Sequence, residues 1–266
     1  MDLALRGKRT LVTGASRGTG AAIAATLARE GATILVHGLE EGAADPVVAG
    51  IRADGGDATA CWGDIATDKG ATAAADQALA NGAVDILVNN YGTAARGSWA
   101  EAGTADWLAM YEANVLSAAR MARLVTPAMR AKGWGRVIQL GTVGSSRPAA
   151  RMPHYYASKG ALATMTVSLA KELAGTGITV NLVSPALIRT AEVEANLRAR
   201  AERKGWGAEW ARIETAALAE SGGNLVGRIC RPEEVGDLVA FLASPRADFI
   251  TGMNIRIDGG AVDQVT

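Results

Sequence analysis

The sequence predicts a single α/β domain, in which a doubly wound parallel sheet of about seven strands carries helices on both faces. Short apolar runs without polar alternation predict strands that are buried on both faces. Ala-rich segments of helical length separate these runs, and a helical crossover between consecutive strands implies parallel pairing. The alternation continues along almost the whole of the 266 residues.

The individual elements follow in order along the chain. The predicted strands are 9–15, 32–38, 58–64, 84–90, 135–141, 178–184 and 253–260. The predicted helices lie near 18–30, 42–54, 67–81, 104–131, 155–174 and 232–243. Residues 190–226 interrupt the alternation with a mixed-charge helical stretch. We interpret them as a lid inserted into the 1–266 domain, over the edge of the sheet where ligands bind in this architecture. A helical hairpin that faces another subunit is the alternative.

Composition excludes several functional classes. The chain is 49% apolar, yet no run approaches the roughly 18–20 apolar residues of a membrane span. Residues 1–10 lack the apolar core of a signal peptide, so we expect a cytoplasmic protein. Lys plus Arg and Asp plus Glu both total 27, which argues against a nucleic-acid or anionic-membrane partner. Cys61 and Cys230 are far apart and predict reduced thiols, and two histidines are too few for a His-rich metal site.

A glycine-rich turn, VTGASRGTG, joins the first strand to the first helix. Gly14 allows a sharp turn, Gly18 allows the backbone to approach a phosphate, and Gly20 allows close helix–strand packing. Backbone N–H groups at the helix N-terminus would then face the anion. Such turns also occur for packing reasons alone, so the motif needs support from other segments.

Five segments together resemble the short-chain dehydrogenase/reductase family, including its 3-oxoacyl-carrier-protein reductases. They are TGASRGTG, NNYG, YYASK, SPALIRT and FITGMNIRIDGG, and the resemblance covers essentially the whole chain. It implies a Rossmann fold and hydride transfer between a nicotinamide cofactor and a small-molecule ketone or secondary alcohol. It also implies a homotetramer, in which the helices near 104–131 and 155–174 pair across a two-fold axis.

The segment YYASK contains the family's tyrosine–lysine pair. Tyr155 and Lys159 are four residues apart and share one face of a helix, whereas Tyr156 points roughly 100° away. A neighbouring ammonium stabilises phenolate and lowers the pKa of tyrosine. We therefore expect Tyr155 to be the general acid or base, assisted by Lys159, and Tyr156 to be a packing residue.

Two further catalytic groups follow from the resemblance. The family places a serine thirteen residues before the tyrosine, and this chain has Thr142 there, which keeps a hydroxyl for the developing alkoxide. Ser145 and Ser146 are the fallback, and a structural role for Thr142 is the other alternative. Asn114 matches an asparagine that helps to hold a water in a relay to the lysine, with a packing role as its alternative.

The end of the second strand bears on the choice of nicotinamide. NAD-preferring members usually have an acid there, where this chain has Gly38, and many NADP-preferring members have an arginine where it has Leu39. Arg17 matches a basic position of NADP-preferring members, and His37 is placed either to assist or to act as a buried or capping residue at the strand end. Glu40 and Glu41, which follow Leu39, would favour NAD(H) if their loop folds inward. NADP(H) is the preferred cofactor on this balance, and NAD(H) is possible.

The resemblance places the remaining cofactor contacts around the sheet edge. Asp64 matches the acid that bonds the adenine amino group, with Ile65 beside it, while Asn89 and Asn90 resemble stabilisers of the central strands. The full expected set is Gly14, Ser16, Arg17, Gly18, Thr19, Gly20, His37, Gly38, Asp64, Ile65, Asn90, Gly92, Tyr155, Lys159, Pro185, Ile188 and Thr190. No metal ligand is expected.

Two substitutions depart from the family pattern, and the lid is the least transferable segment. Ala186 replaces the glycine after the proline, and Tyr91 replaces a small alanine, which predicts either a narrower substrate pocket or a hydrogen bond into it. The lid arginines are candidates for an anionic substrate, but they alternate with glutamates, and a solvated, ion-paired helix is the favoured interpretation. They are Arg189, Arg198, Arg200, Arg203 and Arg212. A cofactor-binding regulator without turnover is a competing class, although such a protein typically breaks the tyrosine–lysine pair.

Overall fold

The computed structural model describes residues 2–263, so residue 1 and residues 264–266 of the predicted domain lie outside the described part. It contains one parallel sheet in the order β3-β2-β1-β4-β5-β6-β7. The strands are β1 (Arg9–Val12), β2 (Thr33–Gly38), β3 (Asp57–Trp62), β4 (Ile86–Asn89), β5 (Gly135–Leu140), β6 (Ile178–Pro185) and β7 (Asn254–Ile257). The predicted fold class is confirmed, including the number of strands.

Helices cover both faces of this sheet. They are α1 (Gly18–Arg29), α2 (Asp45–Ala53), α3 (Asp68–Leu79), α4 (Thr104–Tyr111), α5 (Ser117–Lys132), α6 (Pro153–Glu172), α7 (Ala191–Lys204), α8 (Trp210–Ser221) and α9 (Pro232–Ala243). The predicted helix 104–131 is divided by a π-helical segment, Glu112–Leu116. The predicted helix 155–174 begins two residues earlier, because Pro153 is accommodated in its first turn.

Successive strand residues feed two separate cores, as the period of two in a strand requires. Val12 and Val88 pack on the face covered by α1, α2 and α9. Their neighbours Leu11 and Leu87 pack on the face covered by α3 and α5. Every residue of β5 and β6 is buried. This double burial explains why these strands show no polar alternation in the sequence.

The strand order reverses at β1, which lies between β2 and β4. Chains that leave the carboxyl ends of β1 and β4 therefore depart to opposite faces and leave a crevice at that edge. The glycine-rich turn and the segment NNYG both emerge at this point. The topology thus brings the motif segments to a single edge of the sheet.

The interrupting segment forms a helical hairpin, α7 and α8, with a small apolar core of its own. Leu197, Ile213 and Leu218 are buried in it, with Trp206 and Trp210 packed at its margin. An isolated parallel bridge between Ile188 and Cys230 joins the two ends of the insertion. The hairpin is therefore anchored at its base, while its charged surface is exposed to solvent.

Two classes of feature are absent from residues 2–263. No helix there is long and apolar enough to cross a membrane. The same residues contain no group of three or more His, Cys, Asp or Glu side chains placed to hold a metal ion. Cys61 and Cys230 are both free thiols, as the sequence predicts.

Candidate active site

The glycine-rich turn leaves the N-terminus of α1 uncapped. Arg17 precedes the helix in extended conformation and makes no side-chain cap, and the first turn carries no acid. Gly14 and Gly18 have φ of 61° and 59°, which favour glycine. A Cβ on Gly20 would lie 2.5 Å from the Gly14 carbonyl oxygen. The turn therefore depends on glycine for both conformation and packing, and it presents unpaired N–H groups suited to a pyrophosphate.

His37 holds this turn from below. Its Nδ1 accepts a hydrogen bond from Gly14 N (3.0 Å), and its Nε2 donates to the Gly63 carbonyl (2.9 Å). The ring is fully buried, and burial lowers the pKa of His37, which keeps the imidazole neutral in the tautomer that these bonds require. Both ring nitrogens are occupied by backbone, so His37 supports the turn and offers no nitrogen to a 2′-phosphate. These contacts fit the alternative interpretation of His37 as a buried residue at the strand end.

Asn90 supports the turn from the other side. Its Nδ2 donates to the carbonyls of Thr13 (2.9 Å) and Gly14 (3.0 Å). Asn89 donates to the Ala118 carbonyl (3.4 Å) and lies within the sheet. These bonds match the interpretation of both asparagines as stabilisers. The cofactor half of the crevice is thus shaped by backbone, with polar side chains turned inward to hold it.

The residues expected to contact the adenosine half differ in exposure. Asp64 is exposed and accepts a bond from Ala66 N (3.1 Å), whereas Ile65 is fully buried in the core beneath α3. Gly38 is buried at the end of β2, and the exposed Leu39 follows it. Arg17 is 82% exposed, with its Nη1 3.8 Å from Oε2 of Glu192. Asp64 and Arg17 are therefore accessible to a ligand, whereas the Ile65 side chain is buried and cannot contact one.

Tyr91 is partly buried between a neighbouring ring and the core. Its ring meets His37 edge-on, with centroids 6.4 Å apart, and packs against the core beneath α3. Burial raises the pKa of Tyr91. Gly14 allows the two segments to approach closely, because a Cβ there would lie 2.9 Å from Tyr91 Cα. The ring is held on the side of the crevice formed by β1 to β3.

Tyr155 is placed in the first turn of α6. The Thr142 side chain lies near its phenol and caps a short 3-10 turn after β5, where it accepts from Gly144 N (3.2 Å). Burial raises the pKa of Tyr155, and the nearby Thr142 hydroxyl offsets this only in part. The prediction of a lowered pKa is therefore wrong for the described chain. The phenol is held in its protonated form at neutral pH.

Lys159 lies one turn further along α6 and is almost fully buried. Its Nζ donates to the Leu140 carbonyl at the end of β5 (2.8 Å). Burial lowers the pKa of Lys159 to about 8. A Cβ on Gly92 would lie 3.2 Å from this Nζ, so the glycine of NNYG leaves the room that the lysine occupies. Lys159 is consequently a buried cation close to its titration point at neutral to mildly basic pH.

Asn114 lies in the π-helical segment and connects three elements. Its Oδ1 accepts from Thr93 N (2.9 Å), and its Nδ2 donates to the Thr93 carbonyl (2.9 Å) and to Ser158 Oγ (3.0 Å). Ser158 in turn donates to the Tyr155 carbonyl (2.8 Å). Single π turns inside α-helices often occur at functional sites. Here the π turn brings Asn114 to the loop after β4 and braces the helix that carries Tyr155.

A cavity of about 700 Å³ joins these parts, with residues from the glycine-rich turn, the catalytic helix, the hairpin and the chain after β7 in its walls. The members that bear on function are Thr19, Thr142, Tyr155, Tyr156, Pro185, Ile188, Thr190, Val193, Leu218, Glu220 and Val262. Ser145 is not among its lining residues, and its Oγ donates to the Thr142 carbonyl (2.8 Å). Thr142 is therefore the hydroxyl that faces this space.

Tyr156 is a lining residue that sequence analysis assigned to packing. Its ring centroid is 5.3 Å from that of Tyr155, and it covers Gly144, on which a Cβ would lie 2.2 Å from Tyr156 Cε1. Helical spacing alone directs Tyr156 away from Tyr155. The loop after Thr142 folds beneath it, however, and makes it part of the cavity wall. The glycine at 144 is the one local signal for this contact.

Comparison with known proteins supports one family. A family profile described as Enoyl-(Acyl carrier protein) reductase matches residues 14–262. The chain is 34% identical to 3-oxoacyl-[acyl-carrier-protein] reductase FabG from Vibrio cholerae over 258 residues, covering 96% of this chain and 98% of that protein.

Two solved structures share the fold over the full length of the chain. L-sorbose reductase from Gluconobacter frateurii, complexed with NADPH and L-sorbose, has a TM-score of 0.93 at 30% identity and full coverage of both chains. A 7α-hydroxysteroid dehydrogenase complexed with NADH and 7-oxo glycochenodeoxycholic acid has a TM-score of 0.85 at 30% identity, covering 100% of this chain and 98% of that one.

Proposed function

The chain belongs to the short-chain dehydrogenase/reductase family of NAD(P)-dependent oxidoreductases, and on that premise we propose that it reduces the ketone of a small molecule with NADPH. One observation carries the proposal: the Tyr155–Thr142 pair faces the same cavity that the glycine-rich turn enters through Thr19. The proposed catalytic side chains and the glycine-rich turn thus line one cavity.

The cradle fits a dinucleotide. The N-terminus of α1 lacks both a side-chain cap and a first-turn acid, and a Cβ on Gly18 would project towards Thr190, 3.6 Å from its Cγ2. Thr190 caps α7 by accepting from Val193 N (3.2 Å). The turn and Thr190 would hold the pyrophosphate, and Asp64 is exposed for the adenine. When bound, the nicotinamide supplies a hydride to the carbonyl carbon.

The protein's own residues then manage the proton. Tyr155 donates its phenolic proton to the carbonyl oxygen as negative charge develops there, and the raised pKa favours the protonated phenol in that role. The Thr142 hydroxyl accepts from Gly144 N, and its own proton, which acts on the Tyr155 oxygen when no substrate is bound, would be donated to the substrate oxygen. The charged form of Lys159 stabilises the tyrosinate that remains. In alcohol oxidation the same groups would have to start from tyrosinate, which burial disfavours.

The proposed preference for NADPH depends on two features of the crevice. The end of β2 lacks the acid that would repel a 2′-phosphate, since Gly38 is buried there, and Arg17 presents a largely exposed guanidinium at the turn. Fluorescence titration with NADPH and NADH in parallel tests it. We expect tighter binding of NADPH, with the difference reduced in Arg17→Gln. Preference for NADH would contradict the proposal and favour an alcohol dehydrogenase.

We also propose a homotetramer. Leu108 of α4, Leu116 of the π-helical segment and Val167 of α6 are exposed, and the segment before β7 exposes Phe249 fully and Met253 by 52%. Apolar patches of this kind favour subunit contacts. Light scattering gives the test: a mass near four times 27.3 kDa is expected, and a mass of 27.3 kDa would contradict it.

A further inference from the structure

A second cavity, of about 610 Å³, lies beside the catalytic one and is lined by arginines from three distant segments. They are Arg96 after β4, Arg151 just before α6, and Arg200 and Arg203 on α7. Among the described residues that line it, Glu101 is the one acid, and its carboxylate accepts from Ser98 N (3.0 Å). We refer to this space as the arginine cleft.

Three of these guanidiniums have no acidic partner within residues 2–263. In that part of the chain Arg96, Arg151 and Arg203 make neither an ion pair nor a side-chain hydrogen bond. Arg189 and Arg198, by contrast, both bind Glu194, at 2.8 and 2.6 Å. The ion pairing predicted from sequence is therefore present at Arg189, Arg198 and Arg200, whereas Arg203 makes no ion pair in the described part of the chain. Gathering like charges in a concave site costs free energy that a bound anion would offset.

The arginine cleft adjoins the catalytic cavity. Glu220 lines the catalytic cavity and forms an ion pair with Arg200, which lines the cleft. Along the chain, Arg151 precedes Tyr155 by four residues, a span of at most about 14 Å. A ligand with a ketone at Tyr155 and an extended arm therefore has a short path past the Arg200–Glu220 pair into the cleft.

The backbone between the two spaces is constrained. Met152 has φ of 63°, a left-handed conformation that is unfavourable for a residue with a side chain. Its N–H donates to the Gly97 carbonyl (2.8 Å), which ties together the two loops that carry Arg96 and Arg151. Strained backbone of this kind persists where the surrounding structure enforces it, as at ligand sites. The loops that carry Arg96 and Arg151 are thus fixed relative to each other at the start of α6.

We propose that the arginine cleft binds a carboxylate or phosphate group on the substrate, so that the enzyme selects ketones that carry an anionic arm. This rests on the proposed function, because the arm is placed by a ketone at Tyr155. Guanidinium groups bind either anion through paired N–H donors. The cleft also fits a small ligand, since it is concave, and two of its walls, the start of α6 and α7, also contribute residues to the catalytic cavity.

Kinetics with matched ketones provide the first test. One pair is 5-oxohexanoate and its methyl ester, and a second is dihydroxyacetone phosphate and dihydroxyacetone, so that the two arms separate carboxylate from phosphate. We expect the ratio of kcat/KM for the charged over the neutral ketone to fall at least tenfold in R96Q/R203Q, through KM. The control R6Q/R212Q removes the same charge outside both cavities and should keep the wild-type ratio. Equal ratios in both variants would overturn the proposal.

Calorimetry provides a second test that needs no turnover. Inorganic pyrophosphate is titrated into enzyme saturated with its nicotinamide cofactor. We expect one site per subunit, with affinity at least tenfold weaker in R96Q/R203Q than in R6Q/R212Q. Failure to reduce any ketone would refute the proposed function and leave this readout intact. If the wild type binds no pyrophosphate, or binds an acidic protein but no pyrophosphate, the arginine cleft is not a small-anion site.

Discussion

The start of α6 and the α7–α8 hairpin line the same cavity but are built differently. Around α6, two buried polar groups of the site have defined partners: Asn114 binds Thr93 and Ser158, and Lys159 donates to the Leu140 carbonyl. On the hairpin, carboxylates are shared, because Glu220 pairs with both Arg200 and Lys204 at the surface. Buried networks keep one geometry, whereas exposed pairs exchange readily. The proposed catalytic groups are thus held in one geometry, whereas the side chains proposed to select the substrate are exposed and can be substituted.

The two tyrosines give the largest expected effect in this comparison. Tyr155→Phe removes the proton donor and should lower kcat by roughly 10²–10⁴-fold, the usual contribution of a general acid. Cofactor affinity, measured by fluorescence titration, should be retained. Tyr156→Phe keeps the ring over Gly144 and serves as the matched control, with a much smaller loss. Equal losses from the two variants would remove Tyr155 from its proposed role.

Lys159 connects catalysis to stability. Its pKa of about 8, against 10.5 for an ordinary lysine, means that folding costs about 3 kcal/mol below pH 8, where the side chain is charged in both states. Between pH 8 and 10.5 the unfolded chain binds more protons, so the free energy of unfolding rises with pH and the cost then disappears.

Lys159→Met should therefore lose activity yet gain stability at neutral pH. A gain of about 2–3 kcal/mol is expected below pH 8, after allowance for the bond lost to Leu140, and it should vanish above pH 10.5. Denaturant unfolding at pH 7 and pH 10.5 measures it. A variant that is less stable than wild type at pH 7 would contradict the buried-cation interpretation.

Gly92 tests how closely the catalytic side is packed. A Cβ there would lie 2.4 Å from Asn114 Oδ1, so Gly92→Ala must displace Asn114, and we expect kcat to fall by roughly 10²-fold from misplacement alone. Gly50 in α2 is the control, because a Cβ on this residue would project into open space. Gly50→Ala should raise the free energy of unfolding by about 0.4–1 kcal/mol. Similar kcat values in the two variants would show that the site tolerates movement.

The hairpin gives the smallest expected effect. Glu194 accepts from Arg189 and Arg198, and this pairing holds the pKa of its carboxyl below the usual range. Because these charges are exposed, Glu194→Gln should change the free energy of unfolding by less than about 1 kcal/mol. Thermal melts at pH 7 measure the change. A larger loss would mean that the hairpin is as firmly specified as α6, and the contrast between the two regions would fail.

Sequence patterns predicted most of the framework. The seven strands, the glycine-rich turn and the pairing of Tyr155 with Lys159 on one helix follow from local rules: burial on both faces, the φ freedom of glycine and the helical repeat. Local rules succeed here because each feature is contained within one segment. The π turn at Asn114 escaped them, since nothing in the residues around it distinguishes it from an ordinary helix.

Only the tertiary structure decided what the side chains meet. Of the two roles open for His37, the supporting one follows from Gly14 and Gly63, which approach it from other segments, and Tyr156 lines the cavity because a loop folds beneath it. The pKa of Tyr155 is set by burial, which depends on the packing of many elements. The arginine cleft joins residues more than a hundred positions apart, such as Arg96 and Arg203. Charge in such a site is a sum over distances in space, and spacing along the chain does not contain it.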